Sequence, residues 1–200
     1  MQRERPFVLS VLGLKDSGKT TVAAGLIAAL SSLGLAVAGL KKTHVPTLTL
    51  DAHGTDSAAL WEAGARFVAV RSRFQTMTME RHPAGDPSSE LLDLVPPSVA
   101  LVVAEGLLPD GPQTPRAIVC LRRFEELEET LAVRNIRPGD VLALGGVAAG
   151  LVGSAAEAGC RPAAYPVFDI RDPTRAQELC RLVLATAGIA APGPQPPSAH

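Results

Sequence analysis

Apolar residues fall along this chain in two rhythms. Continuous apolar runs at residues 6–12, 35–40, 99–104, 117–121 and 141–144 read as strands covered on both faces, as in a parallel sheet. Between them, Val22, Ala23, Leu26, Ile27 and Leu30 recur at helical spacing over 20–33, and Gly34 stands where a C-terminal cap belongs. Strand, helix, strand is a βαβ unit, which is right-handed in nearly all sheets. Residues 66–70 and 75–79 read as an antiparallel pair, in which Met77 and Met79 alternate with Thr76 and Thr78 as core methionines would. Shorter helical patterns cover 56–64, 89–94, the acidic stretch 124–131 and the small-residue stretch 147–158. A last helix starts at Asp172-Pro173 and runs to about Ala187. The order predicts one α/β domain over 1–190: a three-layer sandwich on a mostly parallel sheet, with an inserted antiparallel pair. Pro and Ser in 191–200 predict a disordered tail.

The junction of the first strand and first helix carries the strongest chemical signal. Gly13, Leu14, Lys15, Asp16, Ser17, Gly18, Lys19 and Thr20 match the P-loop (Walker A) spacing of Gly, four residues, Gly-Lys-Thr. Glycines let the backbone turn tightly and aim successive N–H groups at phosphate oxygens. Lys19 brings a cation to the terminal phosphates, Thr20 offers a hydroxyl to Mg²⁺, and the helix start adds partial positive charge. The nucleotide-binding set is Gly13, Lys15, Asp16, Ser17, Gly18, Lys19, Thr20 and Thr21. The competing reading, a chance Gly-rich turn, does not explain the strand before it and the helix after it.

Composition narrows the partners. A net charge of −1 offers no basic field for nucleic acid or anionic lipid. Trp61, Tyr165 and five Phe make no base-stacking platform. Cys120, Cys160 and Cys180 lie far apart and form neither a metal spacing nor a disulfide framework, which fits a reducing, cytoplasmic setting. No apolar run is long enough to span a bilayer, and the N-terminus leads straight into a strand without room for a signal peptide.

A phosphate loop also needs an acid for its metal. Glu105 ends the apolar run 99–104, at the sheet edge where ligands bind in open parallel sheets. It is the candidate catalytic and metal-holding partner of Lys19 and Thr20; a Glu capping a turn or paired with an Arg is the structural alternative. Lys41, Lys42 and His44 follow the second strand, then Asp51 and Asp56 in a polar, Gly-punctuated segment. They read as an anion or substrate loop, against a solvated charge run for the lysines and a helix N-cap for Asp56. His53 and His82 sit in loops without assigned roles. The Asn/Thr-Lys-x-Asp signature that selects guanine in common GTPases is absent, as is a clear arginine finger.

Taken together, the loop Gly13 to Thr21, Leu40 to His44, Asp51 with Gly54-Thr55-Asp56-Ser57, Ala63-Gly64-Ala65 and Glu105-Gly106 resemble, in order and spacing, the molybdopterin-guanine dinucleotide biosynthesis protein B (MobB) family. The closing Pro166-Val167-Phe168-Asp169 before a helix is similar too. The resemblance implies a P-loop fold that binds GTP with Mg²⁺ and hydrolyses it weakly. It also implies a homodimer working in molybdenum-cofactor biosynthesis beside the guanylyltransferase and molybdenum-insertion proteins. In that picture Gly13 to Thr21 cradle the phosphates, Glu105 is the acidic strand end, and Lys42, His44, Asp51 and Asp56 line the polar loop. Two other classes fit the residues: an ATP-dependent small-molecule kinase or ligase, and a nucleotide-gated adaptor without significant hydrolysis.

Overall fold

The computed structural model of the chain describes residues 6–42, 56–81, 90–108, 116–151 and 164–190. They fall into two compact units, Met1–Lys42 with Ser88–His200, and Thr43–Pro87.

In the larger unit, β1 (Phe7–Gly13) is the middle strand of a five-stranded sheet, joined by β2 (Val37–Lys41), β5 (Leu101–Glu105), β6 (Ala117–Leu121) and β7 (Val141–Gly146). The order is β2-β5-β1-β6-β7, and every pairing is parallel. The strands are apolar because both faces are covered. Leu9, Val11, Leu101, Val103 and Ile118 share one cluster with Val22, Leu26 and Leu30 of α1 (Lys19–Ser32) and Leu179 and Val183 of α5 (Pro173–Ala187). Leu12, Val119, Leu121 and Leu144 join Leu127 and Leu131 of α4 (Leu127–Val133) in a second cluster. A third gathers Val8, Val95, Val102, Ala104 and Leu107, with Leu92 of α3 (Glu90–Asp93) against it. The result is the predicted three-layer P-loop sandwich.

Local chemistry sets the helix ends. The Asp172 carboxylate accepts from the backbone N–H groups of Thr174 (2.8 Å) and Arg175 (3.3 Å), Pro173 opens α5, and left-handed Gly188 closes it. Gly34 donates its N–H to Ser31 O beyond the end of α1, as its position predicts. Two predicted elements differ. The acidic helix starts as a 3₁₀ turn, Phe124–Glu126, before α4. The small-residue helix is, within the described residues, a 3₁₀ turn over Ala148–Leu151. Glycine weakens helix there, and the Arg171 guanidinium lies over the Gly150 position.

In the smaller unit, α2 (Asp56–Glu62) precedes the antiparallel pair β3 (Phe67–Arg71) and β4 (Thr76–Glu80). Val68 faces Met79 and Val70 faces Met77. Both methionines are half-buried while Thr76, Thr78 and Glu80 are exposed, so the methionines lie on the covered side. The 191–200 tail lies outside the described residues.

Candidate functional site

β1 ends at Gly13, opposite Cys120 of β6, and the chain then turns twice through left-handed backbone, at Asp16 (φ 60) and Gly18 (φ 86). The loop closes on its own carbonyl: Leu14 O accepts from Ser17 Oγ at 2.9 Å and from Lys19 Nζ at 2.5 Å. Ser17 is buried and braces the loop from inside. Burial, followed by the nearby charge of Arg134, lowers the Lys19 pKa from the usual lysine value. The loop is also latched to the far strand, because Val147 N–H donates to Ser17 O at 3.2 Å.

The close approach behind that latch needs two glycines. At Gly146 (φ 85) a Cβ would collide with Ser17 O, and at Gly18 it would come within 3.3 Å of the Gly146 Cα. Lys15, Asp16, Gly18, Lys19, Thr20, Thr21 and Val147 line an open cleft of about 480 Å³ at this edge.

Parallel register brings the acid to the same place. Glu105 stands level with Val11 of β1 and Lys41 of β2. Thr20 Oγ1 donates to the Glu105 carboxylate, 3.1 Å from Oε1 and 3.0 Å from Oε2, while Lys41 Nζ lies 3.2 Å from Oε1. The carboxylate is only 12% exposed, so these two groups are its main polar neighbours. The spacing also suits a metal. Adjacent oxygens around an octahedral Mg²⁺ with bonds of about 2.0–2.1 Å sit about 3 Å apart, which is the Thr20–Glu105 separation. The residues present therefore fit such an ion, which Thr20 and Glu105 would hold.

The predicted residues are thus partly assembled. Lys15 to Thr21 and Glu105 share one edge. Lys42 donates its backbone N–H to Glu105 O at 3.0 Å. Asp56 opens α2 in the other unit, and His44 and Asp51 lie outside the described residues. Lys41 belongs to the predicted basic cluster, but its pairing with Glu105 comes from β2–β5 register, which no local motif marks. Sequence reasoning also passed over a second hollow of about 50 Å³ beside the cleft, where Asp169 and Arg171 meet. Asp169 Oδ1 accepts from Arg171 N at 3.1 Å and Nε at 2.8 Å, and Oδ2 from Nη2 at 3.1 Å.

A family model described as molybdopterin guanine dinucleotide synthesis protein B (MobB) matches residues 8–133, from β1 through the phosphate loop and Glu105 to the end of α4. No curated protein matches the sequence. Among solved structures, Bacillus subtilis MobB is similar with a TM-score of 0.61 at 20% identity, over 88% of this chain and 96% of that one. A MobB homolog from Bacillus stearothermophilus gives 0.53 at 21% identity, over 88% and 97%. A third structure, of molybdopterin-guanine biosynthesis protein B, gives 0.59 at 21% identity, over 90% and 99%. These likenesses concern the fold, whereas the family match spans more than half of the sequence, and by it the chain belongs to the MobB family of molybdopterin guanine dinucleotide synthesis.

Proposed function

We propose that this chain binds GTP with Mg²⁺ at the loop Gly13 to Thr21 and hydrolyses it slowly in the service of molybdopterin guanine dinucleotide synthesis. The observation that carries the reading is that Lys19 and Thr20 line one open cleft at the carboxyl edge of a parallel sheet while Thr20 is hydrogen-bonded to Glu105. Loop amides and the start of α1 meet the phosphate oxygens, and Lys19 leaves the Leu14 carbonyl to take the terminal phosphate. Mg²⁺, held by Thr20 and Glu105, would neutralise charge on the same phosphates. Lys41 holds the Glu105 carboxylate in place through their ion pair. Positioning and charge neutralisation supply the rate, as phosphoryl transfer requires. Hydrolysis is slow because Glu105, engaged by Lys41 and by the metal it would hold, is not free to activate a water.

By family, the chain would act as a cytoplasmic homodimer beside the guanylyltransferase and molybdenum-insertion proteins. No helix of the described residues is long and apolar enough to cross a membrane. The test is a titration of GTP and ATP, with Mg²⁺, on wild type and Lys19→Ala. Lys19→Ala is expected to weaken GTP binding by about tenfold or more, the loss of one charge-assisted phosphate contact. Equal titration curves for the two proteins would refute the site assignment.

A further inference from the structure

The phosphate cleft does not end at Thr21. The second hollow opens from three of the same residues, Gly18, Thr21 and Val147, and runs to Asp169, Ile170 and Arg171. A nucleotide with its phosphates on the loop amides must send its sugar and base past the start of α1, and this hollow lies there. It encloses only about 50 Å³, so a flat heterocycle would lie across its open mouth and not inside it. Val147 is 43% exposed, an uncovered apolar side chain present in both cavities, and half-buried Ile170 lies beyond it. Asp169 and Arg171 supply the polar groups for a ring edge, the division of labour expected of a small-molecule pocket.

The hollow holds a fixed distance from the loop. Val147 N–H donates to Ser17 O, and Gly146 and Gly18 meet backbone to backbone. Asp169 is placed by the sheet itself. Val167 bridges Leu144 of β7 in parallel, with Phe168 N–H donating to Leu144 O at 3.0 Å, so Asp169 stands at the same carboxyl edge as Glu105.

We propose that Asp169 and Arg171 form the base-reading edge of the nucleotide site and select guanine over adenine; this rests on the triphosphate reading of the adjoining cleft. Hydrogen bonds from Arg171 hold the Asp169 carboxyl below the usual carboxylate range, against the opposing effect of burial, so it is charged and accepts only at neutral pH. Guanine presents two donors, N1–H and the 2-amino group, beside an acceptor, O6. An acceptor-only carboxylate next to a donor-only guanidinium complements that edge. Adenine turns the lone pair of its N1 toward the carboxylate and is rejected. Arg171 is 59% exposed, and an ion pair this open is weakly held. Its guanidinium moves onto O6 as the carboxylate accepts from N1–H and the 2-amino group.

The experiment titrates GTP, ATP, inosine triphosphate, xanthosine triphosphate and inorganic tripolyphosphate, with Mg²⁺, against wild type and Asp169→Asn. Wild type is expected to prefer GTP to ATP by about tenfold or more, the scale of one bidentate base contact. Inosine triphosphate, which lacks the 2-amino group, is expected to bind wild type at least about fivefold more weakly than GTP. That comparison does not depend on a variant folding. Asp169→Asn is expected to lose the GTP preference, keep tripolyphosphate, and gain xanthosine triphosphate, because an amide accepts from N1–H and donates to O2. The gain is one that misfolding cannot imitate. Equal binding of GTP and inosine triphosphate by wild type, or an unchanged GTP-to-ATP ratio in Asp169→Asn, overturns the base reading while the phosphate site stands. A wild type that ignores tripolyphosphate overturns both.

Discussion

Gly146→Ala tests whether the phosphate loop and the end of β7 are one mechanical unit. Gly146 has φ 85, a left-handed value that costs an L-residue about 1–2 kcal/mol. A Cβ there would collide with Ser17 O and sit 2.9 Å from Leu121 N and 3.0 Å from Cys120 Cβ. All but the last are backbone atoms that cannot swing aside, and overpacking of this kind costs about 1–3 kcal/mol. Together the substitution is expected to destabilise by about 2–5 kcal/mol, or about 5–20 °C in Tm for a chain of this size. Gly188→Ala is the control. Gly188 is also left-handed, φ 66, but has nothing within 4 Å of its Cβ position, so only the backbone cost of about 1–2 kcal/mol applies. Thermal melts with and without tripolyphosphate read both effects. Gly146→Ala should melt well below Gly188→Ala and lose most of the ligand-induced rise in Tm, because the displaced atom is the Ser17 carbonyl of the loop itself. Equal melting of the two variants would refute the packing argument. An unchanged ligand-induced rise in Gly146→Ala would refute the coupling.

Glu105→Gln should raise the Mg²⁺ concentration needed for triphosphate binding by about tenfold or more while leaving metal-free phosphate binding in place; superimposable magnesium titrations would remove Glu105 from the metal site. Asp140 is buried at the start of β7 and accepts from Arg137 Nε at 2.8 Å and Nη2 at 2.9 Å, which lowers its pKa from the usual value despite burial. A lowered folded pKa stabilises above the unfolded value of about 3.9 and is lost as pH falls through the folded value. Asp140→Asn should therefore cost about 1–3 kcal/mol at neutral pH and flatten the acid limb of stability against pH. Urea midpoints that fall in parallel for both proteins below about pH 4 would defeat that account.

What was legible in the sequence was what the chain decides locally. Strand runs covered on both faces are apolar throughout, so β1, β5, β6 and β7 stand out without neighbours. Caps such as Asp172 and Gly34 act within one turn of themselves. The phosphate loop is a local chain conformation and is read as such. Partner choice is not local. The βαβ unit of β1, α1 and β2 gives no sign that β5 lies between its two strands. That insertion is what seats Lys41 beside Glu105, so the ion pair expected as the alternative reading of Glu105 forms, with a Lys in place of the Arg. Small-residue composition suggested helix from residue 147, but the described part, Ala148–Leu151, is a 3₁₀ turn with Gly150, a poor helix former, inside it.

One rule accounts for both the residue that was found and the one that was missed. In an all-parallel sheet every strand delivers its last residue to the same edge, so a polar residue directly after an apolar run is a site candidate by position alone. Glu105 after β5 and Lys41 at the end of β2 obey it. So does Asp169, but its run is Val167 and Phe168, too short to read as a strand, and it joins the sheet through the single Leu144–Val167 bridge. The information that makes Asp169 a site residue is held by β7 and not by its own neighbours. A base-reading residue is therefore the part of such a site that sequence patterns conceal most easily. Phosphates are gripped by consecutive amides of one loop, whereas a base edge, farther along the sheet edge, must be met by whichever later strand the topology brings there.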